Sequence, residues 1–254
     1  MKKIFFIFTF IILILSYLYC EELSFGLDSS ELPIYKSKEK RELVIHKGYV
    51  LSYREKYEQP EFVMYVLNYG DSKALRSNDF KVDPMVSTKS ASPKDYAKSG
   101  YDQGHLDPAA DFSYSNELMS ESFYMSNMSP QTPTLNRGPW KVIEDYFRTL
   151  GKTYDKTYII TGPVLGSDDI SDSYKKIGTN KVKIPYLFYK CGLFIKDNEY
   201  YMLSFLLPND LISRNFEDYQ CTIDDIELIV NMDFYSFIDD NIEEILESKM
   251  MPLK

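Results

Sequence analysis

Short runs of apolar and β-branched residues, broken by Gly, Pro and charged clusters, set the texture of this chain from residue 43 onward. Residues 43–51 and 62–69 (Phe-Val-Met-Tyr-Val-Leu-Asn-Tyr in the second) are predicted strands, and Gly70-Asp71 marks a turn. Three stronger strands are predicted at 158–164, 185–195 and 200–207. The last two are separated by Lys196-Asp197-Asn198-Glu199, a hairpin spacing. Residues 76–100, rich in Ser, Lys, Asp and Pro, are predicted loop.

Elsewhere the period is helical. At about 100° per residue, Trp140, Ile143, Phe147 and Leu150 fall within about 80° of arc, one buried stripe. Glu144 and Arg148 flank that stripe on one side and are expected to face each other. Two starts for this helix are open. Thr132-Pro133 suits a cap and first turn, bringing Asn136 into the stripe and leaving Pro139 as an internal kink; a later start avoids the kink. Thr222 is predicted to cap another helix, with Asp225 completing an imperfect capping box, and residues 239–249 form a final helix.

Strands and helices are interspersed without a regular βαβ alternation. The expected class is therefore α+β with a largely antiparallel sheet. A mixed polar arm at 21–43 precedes one domain, 44–254, with no repeat and no internal boundary.

Composition narrows the picture. The 254 residues are 44% apolar and 15% aromatic, enough for one ordinary core, and fibrous or disordered classes are excluded. Lys2-Lys3, an uncharged run over 4–19 and Glu21-Glu22 describe a secretory signal over 1–20. The run is short beside the ~20 apolar residues of a membrane span. A secreted or periplasmic protein is expected, without stable membrane insertion once the signal is removed. Lipidation at Cys20 is the alternative, disfavoured because Tyr17-Leu18-Tyr19 lacks a small residue.

Loss of Lys2 and Lys3 would take the net charge from −9 to −11. Such a chain makes a poor generic nucleic-acid binder, so a polyanionic substrate would need a local basic patch and a bound cation. Cys191 and Cys221 are expected as buried free thiols, with one disulfide as the alternative. With only His46 and His105, a multi-histidine zinc site is excluded.

The chemistry concentrates between Tyr101 and Arg148. His105 can be a neutral base near pH 7, with Gly104 allowing close backbone approach and Asp102 placed to orient the ring. Asn136 offers a neutral oxygen suited to a hard ion such as Mg²⁺. Glu144 is a carboxylate able to hold water, and Arg76 and Arg148 can stabilise charge on phosphorus.

The order and spacing of these residues resemble the DNA/RNA non-specific endonucleases of the ββα-metal (His-Me finger) class. The carrying residues are Asp102-Gln103-Gly104-His105-Leu106-Asp107-Pro108-Ala109-Ala110-Asp111, then Ser126 to Gln131, then Asn136-Arg137-Gly138-Pro139-Trp140 and Glu144. Arg76, ahead of Asp79-Phe80 and Asp83-Pro84, matches an upstream arginine, and the likeness spans roughly residues 45–240.

The resemblance implies a ββα-metal fold and a Mg²⁺-dependent (or Mn²⁺-dependent) endonuclease acting on DNA and RNA and leaving 5′-phosphate ends. It implies His105 as general base, Asn136 as the direct metal ligand and Glu144 as holder of the ion's water. Arg148 and Arg76 become phosphate contacts, and Asn127 a site-shaping residue. One departure stands out: Gln103 occupies the place of the signature arginine, which removes a cation. Asp107, where a small residue is usual, adds a carboxyl. These departures keep open a second expectation, a catalytically weakened or inactive exported nucleic-acid-binding protein on the same scaffold. A third is an effector nuclease with an immunity or inhibitor protein as partner.

Overall fold

The strongest apolar runs assemble into one antiparallel sheet. A computed structural model describes residues 22–24, 26–71, 73–166, 175–210 and 213–254; the expectations for residues 1–20, including Cys20, lie outside them. The strands that build the molecule are β1 (Glu42–Ile45), β2 (Val50–Arg54) and β3 (Gln59–Val66), then a separate ribbon of β4 (Asp102–His105) and β5 (Met128–Gln131). After these come β6 (Lys156–Pro163), β7 (Leu187–Lys196), β8 (Glu199–Pro208) and β9 (Gln220–Cys221). The main sheet runs β9-β8-β7-β6-β3-β2-β1, every neighbour antiparallel.

Its central strands read as unbroken apolar runs because both faces are covered. Val63 and Tyr65 of β3 point into a core shared with Trp140, Ile143 and Phe147, whereas Phe62, Met64 and Val66 join the opposite core with Ile223, Ile226 and Phe234. One face thus carries α2 (Pro139–Gly151), and the other carries α3 (Ile223–Val230) and α4 (Asp240–Glu247). Gly192 lets α2 come close to the sheet: a Cβ there would lie 2.7 Å from a ring carbon of Phe147.

The hairpin predicted at 196–199 forms as a two-residue loop. Asp197 and Asn198 both take positive φ (51° and 62°), matching the twist of the flanking strands. The predicted strand at 43–51 is corrected to a hairpin, with Ile45 opposite Val50 and the chain turning through Lys47-Gly48. Its apolar run continues on both sides of the turn, which hides the reversal. Residues 76–100 are loop apart from one helical turn, Pro93–Tyr96.

The two starts considered for the central helix resolve into two helices. Thr132 caps α1 (Pro133–Asn136) by accepting from the Leu135 amide, and α2 then begins afresh at Pro139. Pro139 stands at a first-turn position, where its missing N–H costs nothing, so it causes no kink. The capping box at Thr222 forms with Asp225, and Asp239 caps α4. Cys191 and Cys221 are free thiols, the first buried and the second half-buried. Part of the arm is packed, with Leu27 in the core and Glu31 accepting from the Tyr158 hydroxyl and from Lys156.

Candidate active site

The ribbon β4–β5, followed by α1 and α2, forms the ββα unit that carries the chemistry. Its register pairs Gly104 with Ser129 and His105 with Met128. Gly104 is required sterically, since a Cβ would lie 2.2 Å from Gln131 Oε1. Asn209 clamps the ribbon to α1: its side chain accepts from Thr132 N (2.7 Å) and donates to the carbonyls of Pro130 and Pro185 (both 2.9 Å). Trp140, fully buried at the start of α2, donates to the His105 carbonyl (3.3 Å). The ribbon, α1 and α2 thereby hold one fixed geometry.

An open cleft of about 560 Å³ lies over this unit. His105, Gln103, Asn136, Glu144, Arg148 and Arg76 all line it. These six of the residues singled out in the sequence therefore converge, and Asp102 lines the cleft with them. Asn127 does not line the cleft; it is fully buried beneath it. Its side chain accepts from Asp107 N and donates to the carbonyls of Asp107 and Ser122, all at 2.9 Å, so it clamps the loop that follows His105.

His105 is only 8% exposed, with Phe123 and Phe80 packed against its ring at centroid distances of 4.9 and 5.6 Å. Burial, and then the positive charge of Arg76, push its pKa down to about 3. The imidazole is therefore neutral throughout the physiological range. A hydrogen bond to the backbone of Gln103 opposes the shift, and Nε2 has no hydrogen-bond partner among the described residues. A buried ring nitrogen without a partner calls for a proton donor from the cleft.

Asp102, expected to orient that ring, does something else. Its carboxylate is bound by Asn136 Nδ2 (2.9 Å) and by Arg137 in a two-point pair (2.8 and 2.6 Å). The arginine holds Asp102 below the usual carboxylate range despite partial burial. Committing the Asn136 NH₂ to Asp102 also fixes the amide, and its Oδ1 takes no hydrogen bond from any described residue.

The expected Glu144–Arg148 pair is also corrected. Arg148 donates to Asp111 and to Asp145 (2.7 Å to the latter), which lie on either side of it. Glu144 forms no ion pair among the described residues, and burial raises its pKa to about 7 against the pull of Lys190. The arginines are not equivalent: Arg148 is held by two carboxylates, whereas Arg76 is exposed, bonded to Asn78 and stacked 5.0 Å over Phe123. Gln103 sits at the cleft with its amide 3.8 Å from Met125 Sδ.

Beneath the cleft lies a buried network that the sequence did not reveal. Lys190, on the α2 side of β7 and fully buried, donates to Tyr65 Oη (3.1 Å), which donates to Asp111 Oδ2 (2.9 Å). Asp111 in turn accepts from Arg148. Asp107 is fully buried with neither carboxyl oxygen bonded among the described residues, and burial, with Asp111 next, raises its pKa well above the usual range. The carboxyl expected to add charge at the site is thus shifted toward its protonated form, and it lies beneath the cleft without lining it. On the rim the sequence reading also passed over Lys141, one turn before Asp145 on the same helix face.

His46, the other histidine, bonds Asp83 (2.8 Å) and stacks on Tyr124 away from the cleft. The donor set suits a hard divalent cation: one unbonded amide oxygen, a carboxylate without an ion pair, and room for the ion's own water.

The family model of the DNA/RNA non-specific endonucleases matches residues 29–241. Nuclease C1 of Cunninghamella echinulata var. echinulata is 30% identical over 213 residues, covering 78% of this chain and 84% of that protein. A nuclease of Nostoc sp. is 30% identical over 221 residues, covering 82% and 78%. Among solved structures, a chain of the EndoG/EndoGI complex, described as showing the mechanism of EndoG inhibition, superposes with a TM-score of 0.70 at 32% identity, covering 78% of this chain and 86% of that one. With this antiparallel ββα architecture and this extent of match, the chain belongs to the DNA/RNA non-specific endonuclease family.

Proposed function

We propose that this chain is a Mg²⁺-dependent endonuclease that hydrolyses phosphodiester bonds in both DNA and RNA and leaves 5′-phosphate ends. The observation that carries the reading is a neutral imidazole and an unbonded amide oxygen, His105 Nε2 and Asn136 Oδ1, on one cleft lined by arginines. His105 Nε2 takes the proton of the attacking water. Phe80 and Phe123 keep bulk water from the ring, so the nitrogen stays unprotonated until that step. Asn136 would hold the ion, which supplies positive charge to the departing 3′ oxygen; Mn²⁺ fits the same donors. Glu144 orients water beside Asn136, and Arg148 and Arg76 bind the non-bridging phosphate oxygens. A backbone phosphate common to DNA and RNA is all that these groups address, which supports indifference to the sugar.

The net charge of the whole chain opposes this substrate, but the cleft rim carries Arg76, Arg137, Lys141 and Arg148. Residues 1–20 support export, and an inhibitor protein is a partner class that the EndoG/EndoGI neighbour supports. Gln103 favours a second reading, a weakened enzyme or an inactive binding protein on the same scaffold.

The test is digestion of supercoiled plasmid and of structured RNA by the purified chain lacking residues 1–20. Cleavage of both with Mg²⁺, blocked by EDTA and yielding ligatable 5′-phosphate ends, is expected. Absent or EDTA-insensitive cleavage overturns the reading.

A further inference from the structure

On the face of the sheet opposite the cleft, α3 and α4 bring carboxylates together. Asp224 and Glu227, three apart on α3, and Glu247, in the last turn of α4, place one oxygen each within 4.8 Å of one another. Two oxygens that share an ion at about 2.4 Å can be no more than about 4.8 Å apart, so every pair of the three meets that limit, and a small side-chain adjustment brings all three around one Ca²⁺-sized ion. Asp224 is exposed and opens the cluster to solvent, whereas Glu227 is 7% and Glu247 5% exposed.

A second observation points to a ligand there. Among the described residues, Glu247 Oε1 is buried without any hydrogen-bond partner, as are Glu243 Oε1, one turn earlier on α4, and the Tyr235 hydroxyl. Lys36 supplies positive charge at one edge of the cluster but makes no ion pair with Glu247 or Asp224 among the described residues. It pairs with Asp233 at 2.7 Å and with Glu227 at 3.6 Å. Glu227 is held in place from the other side by the Phe234 amide. Burial, and then the surrounding Glu227, Glu243, Asp224 and Asp233, push the Glu247 pKa up to about 9. An oxygen in that position needs either a proton or a cation.

We infer that Asp224, Glu227 and Glu247 form a structural site for a hard divalent cation of the Ca²⁺ class, which fastens the C-terminal helix α4 to α3. Carboxylates from two helices, with water filling the remaining positions, suit the loose coordination of Ca²⁺ better than the strict octahedron of Mg²⁺. The site is independent of the cleft and of the reaction proposed for it.

The test is thermal unfolding of the full chain, stripped of metal with chelator and titrated with CaCl₂ or MgCl₂, with Tb³⁺ luminescence as a direct probe of binding. For a Kd on the order of 10⁻⁴ M, about 10 mM CaCl₂ should raise the melting temperature by roughly 5–10 °C, with Mg²⁺ doing less. Asp224→Asn, an exposed change that spares the fold, and Glu247→Gln should each diminish the Ca²⁺ shift and remove one class of saturable Tb³⁺ sites, leaving only binding at the cleft. Asn136→Ala, which removes the cleft's amide oxygen, should keep both. Loss of both in Asn136→Ala would place the ion in the cleft. No shift in the native chain, or an undiminished one in Asp224→Asn, would show Glu247 to be only a buried neutral acid; any of these results overturns the assignment.

Discussion

Lys190 is the residue on which the buried charges under the cleft converge, and replacing it by Met isolates what it does. Methionine keeps the aliphatic stem between Tyr65 and Trp140 while deleting the ammonium. The change removes the 3.1 Å hydrogen bond to Tyr65 and the cation that faces Asp111, Asp107 and Glu144. Removing one partner from a buried charged set costs about 3–5 kcal/mol. For a chain of this size that corresponds to a melting temperature lowered by roughly 6–20 °C. The deficit should also depend on pH. Glu144 already has a folded pKa raised to about 7, so its contribution to stability is complete below its unfolded value and is lost as pH rises through 7. Without Lys190 that pKa rises further, and the loss extends to higher pH. Thermal unfolding in EDTA at pH 6 and pH 8 should therefore show a larger deficit at pH 8. A Lys190→Met chain as stable as the native one at pH 8, or with a deficit equal at both pH values, would refute the network.

Gln103→Arg should raise cleavage by about 10–100-fold at saturating Mg²⁺, the worth of one charge-assisted contact to the phosphate, whereas an inactive scaffold should gain nothing. His105→Gln removes a group that the unfolded chain protonates near pH 6.5 and the folded chain refuses down to about 3. That depressed pKa costs stability as pH falls below 6.5, so the native chain should lose roughly 3 kcal/mol more than the variant between pH 7 and pH 4 in denaturant titrations. Asn127→Ala breaks three buried hydrogen bonds and should lower both melting temperature and kcat while leaving KM within about threefold, because Asn127 holds the loop behind His105 and does not line the cleft.

Local pattern made much of this molecule legible. The three stronger strands, the α2 stripe and the caps at Thr132 and Thr222 follow from signals within a few residues of each other, and the structure places them where those signals do, whereas the strand expected at 62–69 lies earlier, at Gln59–Val66. The cleft residues were found because their types are chemically pointed and their order matches a family. What local pattern could not carry is pairing across the chain. Lys190 and Tyr65 are 125 residues apart, and in sequence Lys190 reads as one polar position in an apolar strand. Arg148 looked like the partner of Glu144 because the two are four apart on one helix. Asp111 wins instead, since the loop after His105 brings it against the same guanidinium. Asp107 looked like added negative charge at the site, but full burial shifts it toward the protonated form, and burial is a property of the assembled core. The reversal at Lys47-Gly48 was lost for the opposite reason, because both strands of that hairpin are apolar and the turn leaves a weak mark.

The general base is tested most directly by His105→Gly, which empties the space between Phe80 and Phe123, assayed on plasmid and RNA with Mg²⁺ and added imidazole. Cleavage should fall by about 10²–10⁴-fold and recover in proportion to the neutral form of the imidazole. Cleavage by His105→Gly at the native rate without imidazole would contradict the account.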